Sequence, residues 1–155
     1  MIKSNINKIN PQNCYDNLVN IQPADRIVVP KSDFQLVQHH AIFLGNDQKG
    51  DSWFAENIIG KGVLFTKADF FLKNSPKITR IEKFPGNENE RRIAIDRAIS
   101  MKGKKYNLFN FNCEHYSNMV QKNISKSDQI NIFIWLALAF VFLLAVFNDN
   151  KKYSY

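Results

Sequence analysis

The chain has 155 residues, 45% of them hydrophobic, with 21 Lys and Arg against 14 Asp and Glu and a formal net charge of +7. That length supports one compact core rather than two, and two cysteines, Cys14 and Cys113, exclude a disulfide framework and fit a reducing compartment. The basic residues are scattered, with Arg91-Arg92 and Lys102-Lys104-Lys105 the main clusters, so no nucleic-acid partner is expected; zinc-ligand spacing, a phosphate-cradling glycine loop and internal repeats are missing, so neither metal nor cofactor is expected.

Residues 1–19 are polar and Asn-rich without an apolar run, which reads as a flexible arm and not a signal peptide. β-structure begins near residue 25. Ile27-Val28-Val29 stops at Pro30, and a second run from Leu36 to Leu44 is closed by Gly45, giving two adjacent antiparallel strands. On the second strand His39 and His40 point to opposite faces, so only one of them can meet a given partner. SWFAENI (52–58) is a third strand, and GVLFTKADFFLKN (62–74) a short strand running into a helical turn.

From Glu88 to Met101 the spacing of Ile95, Ala98 and Ile99 predicts a helix that buries those residues, with Arg91 and Arg92 on the opposite face and Gly103 ending it. This helix should pack beneath the next one. YNLFNF (106–111) carries three aromatics that can either line a pocket or join the core. Then comes the stretch with most chemical content, FNFNCEHYSNM (109–119). Asn112 fits an N-cap, which makes Cys113 the first helical residue and puts Glu114 in the first turn. A thiol there feels the positive end of the helix dipole, which favours thiolate; a small buried hydrophobe is the other use of a lone cysteine.

Composition changes sharply after residue 129. INIFIWLALAFVFLLAVF (130–147) has 18 residues and no charge, is apolar on every side and would rise ~27 Å as a helix, enough to cross a thin bilayer. A transmembrane helix is expected, followed by a short polar tail, 148–155. Lysines on both flanks leave orientation undecided; without a signal peptide, a single-pass anchor with the domain (20–129) facing the cytosol is the expectation.

His39 followed by Ala41-Ile42-Phe43-Leu44-Gly45, and Asn112-Cys113-Glu114-His115-Tyr116 further on, resemble the two signatures of the lecithin:retinol acyltransferase-like (LRAT-like) family, approximately H-x-[GA]-I-[YF]-[LV]-G and N-C-E-H-[FY]. PADRIVVP (23–30) and SKSDQI (125–130) resemble the family's flanks, so the likeness covers about residues 20–130. It implies an α+β fold, an antiparallel sheet packed on helices, as a circularly permuted relative of NlpC-type and papain-like cysteine hydrolases. It also implies a catalytic Cys113 with His39, not His40, as its base. Many members carry a second histidine where this chain has Glu56; Glu56 is then the candidate for holding the imidazole, and a one-residue shift of register would give that role to Asn57.

The implied activity is thiol acyl transfer through a Cys113 thioester, as a phospholipase A or acyltransferase. The donor would be a membrane phospholipid and the acceptor water or an amine, with the protein acting as a monomer. Two other readings stay open: a cysteine peptidase or amidase of the same fold, and a membrane-tethered binding module without activity.

Overall fold

A computed structural model of the chain describes Leu18 and residues 20–31, 37–75 and 77–152, with side chains as far as Phe147. Apart from Leu18, the expected N-terminal arm lies outside the described residues, as do Cys14 and the end of the polar tail. The strands are β1 (Arg26–Pro30), β2 (Gln38–Asn46), β3 (Ser52–Ile58), β4 (Gly62–Lys67) and β5 (Arg80–Glu82). The helices among the described residues are α1 (Ala68–Asn74), α2 (Glu88–Ser100), α3 (Cys113–Lys122) and α4 (Asp128–Lys152). All strand pairings are antiparallel, in the order β4-β3-β2-β1-β5, so the chain is α+β.

Strand alternation sorts the core into two layers. Ile27, Val29, Ala41, Phe43 and Phe54 face α1, where Phe71 and Leu72 close over them. On the other side Ile42, Ala55 and Val63 meet Ala94 and Ala98 of α2 and Tyr116 and Val120 of α3. The small pair Ala94 and Ala98 lets α3 approach closely enough for the Tyr116 hydroxyl to donate to the Ala98 carbonyl at 3.2 Å.

That packing corrects the expected face of α2. Ile99 is 48% exposed while Arg91 is buried, because Asp25, fully buried, needs a cation: Arg91 Nη1 lies 3.1 Å from Asp25 Oδ1, and the same carboxylate accepts the N–H groups of Gln22 and Phe84. Three residues of β5, unforeseen from sequence, add to the free edge of β1 through Arg26↔Glu82 and Val28↔Arg80.

The connection from α2 to α3 is pinned where it must be to present the cysteine. Lys104 accepts the Val63 N–H and Gly103 donates to the Val63 carbonyl, and at Gly62 (φ +76) a Cβ would stand 2.4 Å from the Lys104 oxygen, so only glycine fits this approach. Helix α4 leaves the domain with its apolar residues exposed. Its apolar stretch, Asp128–Phe147, is 20 residues, or ~30 Å, long and apolar enough to cross a membrane.

Candidate active site

Local sequence sets the position of Cys113. Asn112 caps α3: its side chain accepts the N–H groups of Glu114 (2.9 Å) and His115 (3.0 Å), and its carbonyl accepts that of Tyr116. His115 completes the cap through Nδ1, which accepts the Asn112 N–H at 3.4 Å, a capping box with imidazole in place of the usual carboxylate or amide. Of the first-turn donors, the Cys113 N–H has no partner among the described residues. It lies at the positive end of the helix, beside the thiol.

The β2–β3 ladder starts at Ala41↔Glu56, so β3 does not cover the edge of β2 at Gln38 and His40. Cys113 occupies this edge. Its Sγ lies 3.8 Å from the Gln38 carbonyl and receives a hydrogen bond from the His40 N–H. His39, on the α1 face of β2, is near enough to the Cys113 side chain for each to shift the other's titration. Its Nε2 is engaged by Glu56 Oε2 at 2.7 Å, which leaves Nδ1 for the sulfur. Because a carboxylate only accepts, Nε2 carries a proton. Thr66 in turn donates its hydroxyl to the other Glu56 oxygen.

The structure thus brings Cys113 and Glu56 together around the His39 imidazole. Alternation separates the two candidates for the third position: Glu56 shares the His39 face, whereas Asn57 points the other way and donates to the Phe111 carbonyl at 2.6 Å. His40 is buried on the opposite face from His39, not at the solvent. Burial and the nearby Arg26 charge hold its pKa down to about 4, so it is neutral; its Nε2 lies 3.3 Å from the Gln129 amide nitrogen, from which it accepts.

Electrostatics favour an ion pair. Burial alone would pull the His39 pKa down, but the hydrogen bonds and negative charges of Cys113 and Glu56 reverse this and raise it to about 9. Burial pushes the Cys113 thiol up; the His39 hydrogen bond and charge, the His40 N–H and Lys31 overcome it, and the net shift is down. Both shifts run in the same direction, favouring transfer of the thiol proton to the imidazole.

Beside the sulfur opens a groove of about 380 Å³. One wall is the 106–109 turn, with Tyr106, Leu108 and Phe109; the other is the start of α4, with Ile130, Phe133, Ile134 and Ala137. Leu108 and Phe109 are 50% and 64% exposed, while Phe111 turns inward to the core against Tyr116, so the aromatic segment serves both purposes. Asn107 makes this possible, its side chain accepting the N–H groups of Phe109 and Asn110 in a tight turn.

Sequence reasoning missed a set of polar residues behind the thiol. Glu114 Oε2 accepts from the Ser127 hydroxyl at 2.6 Å and the Gln129 N–H at 3.1 Å, and the Gln129 side chain joins the Gln38 backbone, accepting its N–H at 2.9 Å and donating to its carbonyl at 3.3 Å. Glutamine at the rim of an apolar run carries no sequence signal of such a role. Among the described residues no group of three His, Cys, Asp or Glu side chains is placed to hold a metal ion.

No model of a known protein family matches the chain, and no curated protein matches it. The functional assignment therefore rests on the residues themselves.

Proposed function

We propose that the chain is an LRAT-like cysteine enzyme with the permuted papain-like arrangement, anchored by α4. It would act as a phospholipase A or acyltransferase on glycerophospholipid esters, with its domain on the cytosolic side. The observation that carries this reading is that the Cys113–His39–Glu56 chain opens into an apolar groove one wall of which is the membrane-length helix itself. A site of that build receives an ester directly from a bilayer leaflet.

In the first step the Cys113 thiolate attacks the ester carbonyl carbon, and the carbonyl electron pair moves onto oxygen, where the Cys113 N–H stabilises it. Collapse breaks the C–O bond. The departing lysophospholipid alkoxide takes the proton from His39 Nδ1, leaving a thioester and a neutral imidazole. Water or an amine then attacks the thioester while giving its proton to Nδ1, and the thiolate departs, which regenerates the ion pair. Glu56 keeps Nε2 protonated throughout and so directs Nδ1 at the reacting atoms. Once His39 holds the thiol proton, its next task is that of an acid towards the leaving group.

Intact-mass analysis of the full chain with phosphatidylcholine vesicles tests the proposal. One acyl group should appear on wild-type protein, vanish with hydroxylamine, and be absent from Cys113→Ala. Failure to acylate, with cleavage of a peptide amide instead, would replace the lipid substrate by a peptide one; neither reaction would leave a binding module.

A further inference from the structure

We propose that the first three turns of α4 form the acyl-chain subsite of this enzyme, so that the membrane anchor also selects which fatty acyl chains reach Cys113, an inference that rests on the lipid-ester function proposed above. Ile130, Phe133, Ile134 and Ala137 lie at helical spacing i, i+3, i+4 and i+7, which puts them on one face of α4, and all four line the groove that ends at the sulfur. From Gln129 to Ala137 this face runs ~12 Å along the helix axis. An acyl chain lying there leaves the bilayer interior without entering water.

The groove is a built feature because the root of α4 cannot rotate freely. The Gln129 side-chain amide takes the place of a neighbouring strand on Gln38, using both its N–H and its carbonyl. Its own N–H and the Ser127 hydroxyl are fixed to Glu114, the residue after the cysteine. One point of attachment is the strand carrying His39 and the other is the helix carrying Cys113, so Gln129 ties both halves of the dyad to the root of α4 and Ser127 adds to the Cys113 side. Turning α4 by one residue would break this clamp and carry Phe133 and Ala137 off the groove.

Polarity decides between an acyl chain and a peptide as occupant. Lys31, Gln38, Tyr106, Asn112 and Gln129 supply the polar side chains of the groove, whereas the stretch of α4 beyond Gln129 offers it only Ile130, Phe133, Ile134 and Ala137. A peptide laid along that stretch would bury N–H and C=O groups without partners, at a cost of roughly 1–3 kcal/mol each. A hydrocarbon chain has none to bury.

The test uses full-length protein in mixed detergent micelles with diacyl phosphatidylcholines from six to sixteen carbons per chain, reading relative kcat/KM from the rate of Cys113 acylation by intact mass. Ala137→Trp fills the far end of the groove, and the ratio of six-carbon to sixteen-carbon reactivity should rise at least about tenfold, the discrimination a hydrophobic pocket achieves for a single methylene. Leu136→Trp, one residue away and outside the groove lining, should leave that ratio within about twofold of wild type. Both positions are exposed, and an unchanged rate of iodoacetamide alkylation at Cys113 verifies that each variant keeps its dyad. A wild-type ratio in Ala137→Trp, or an equal shift in Leu136→Trp, overturns the subsite while the lipid-ester function stands. Absence of acylation by any phosphatidylcholine in wild-type protein overturns that function and the subsite with it.

Discussion

Replacing Glu56 by Gln removes one negative charge and nearly no volume, so it isolates what the carboxylate does for His39. The two side chains are 13% and 7% exposed and meet at 2.7 Å, so solvent screens the interaction little. A hydrogen bond to a charged partner contributes about 1.5–3 kcal/mol, and each pH unit corresponds to about 1.4 kcal/mol. The sign follows from charge: the carboxylate favours imidazolium, and without it His39 gives up its proton at lower pH. With His39 at about 9 in the native chain, the alkaline limb of kcat/KM should move from about pH 9 to between about 7 and 8 in Glu56→Gln. Hydrolysis of a dispersed short-chain ester, followed across pH in a Cys14→Ser background, measures this limb without complication from lipid binding. An alkaline limb that stays near pH 9, or a uniform fall in rate with no movement of the limb, would refute Glu56 as the group that sets the protonation of His39.

His39→Ala should remove the groups that do most to offset burial of the Cys113 thiol, so that its iodoacetamide alkylation at neutral pH falls at least about tenfold and its titration moves up. His40→Ala should change that rate far less, because the group His40 offers the sulfur is its backbone N–H, which alanine keeps. Gln129→Ala should lower kcat on short-chain and long-chain esters alike by loosening β2 beside His39; a loss confined to long chains would limit Gln129 to holding the groove. Asp25→Ala leaves the buried Arg91 guanidinium without its carboxylate and should cost about 3–5 kcal/mol, read by thermal denaturation in detergent. Hydrogen bonds hold the Asp25 pKa below its ordinary 3.8 despite the opposing effect of burial, so its contribution is present above about pH 3.8 and lost as pH falls through the lower folded value, and Asp25→Ala should flatten that acid limb. The His39 contribution runs the other way: fully present below its ordinary 6.5, it is lost as pH rises through about 9.

What could be read from the sequence was what local rules decide. Asn112 caps a helix because a short acceptor at that position satisfies two donors within three residues, and Cys113 follows as the first helical residue whatever the rest of the chain does. Glu56 and Asn57 needed only a strand register, since alternation then sends one to His39 and the other to Phe111. Long-range partners were beyond reach. Arg91 looks like a surface residue of an amphipathic helix until Asp25, 66 positions earlier, requires a buried cation. Arg80–Glu82 has no strand signature and exists as β5 because β1 offers it an open edge.

The start of α4 shows the deeper limit. A segment apolar on all sides offers no contrast between one face and another to say which of them turns inward, so residues 130–137 read as featureless anchor and the domain as finished before them. Rotation about the helix axis is fixed instead by polar atoms at its root, Ser127 on Glu114 and Gln129 on Gln38. Those bonds select Phe133, Ile134 and Ala137, out of a run of equivalent apolar residues, to line the groove. Composition could place a helix of membrane-spanning length after a lone cysteine; only the clamp turns one face of that helix towards the groove.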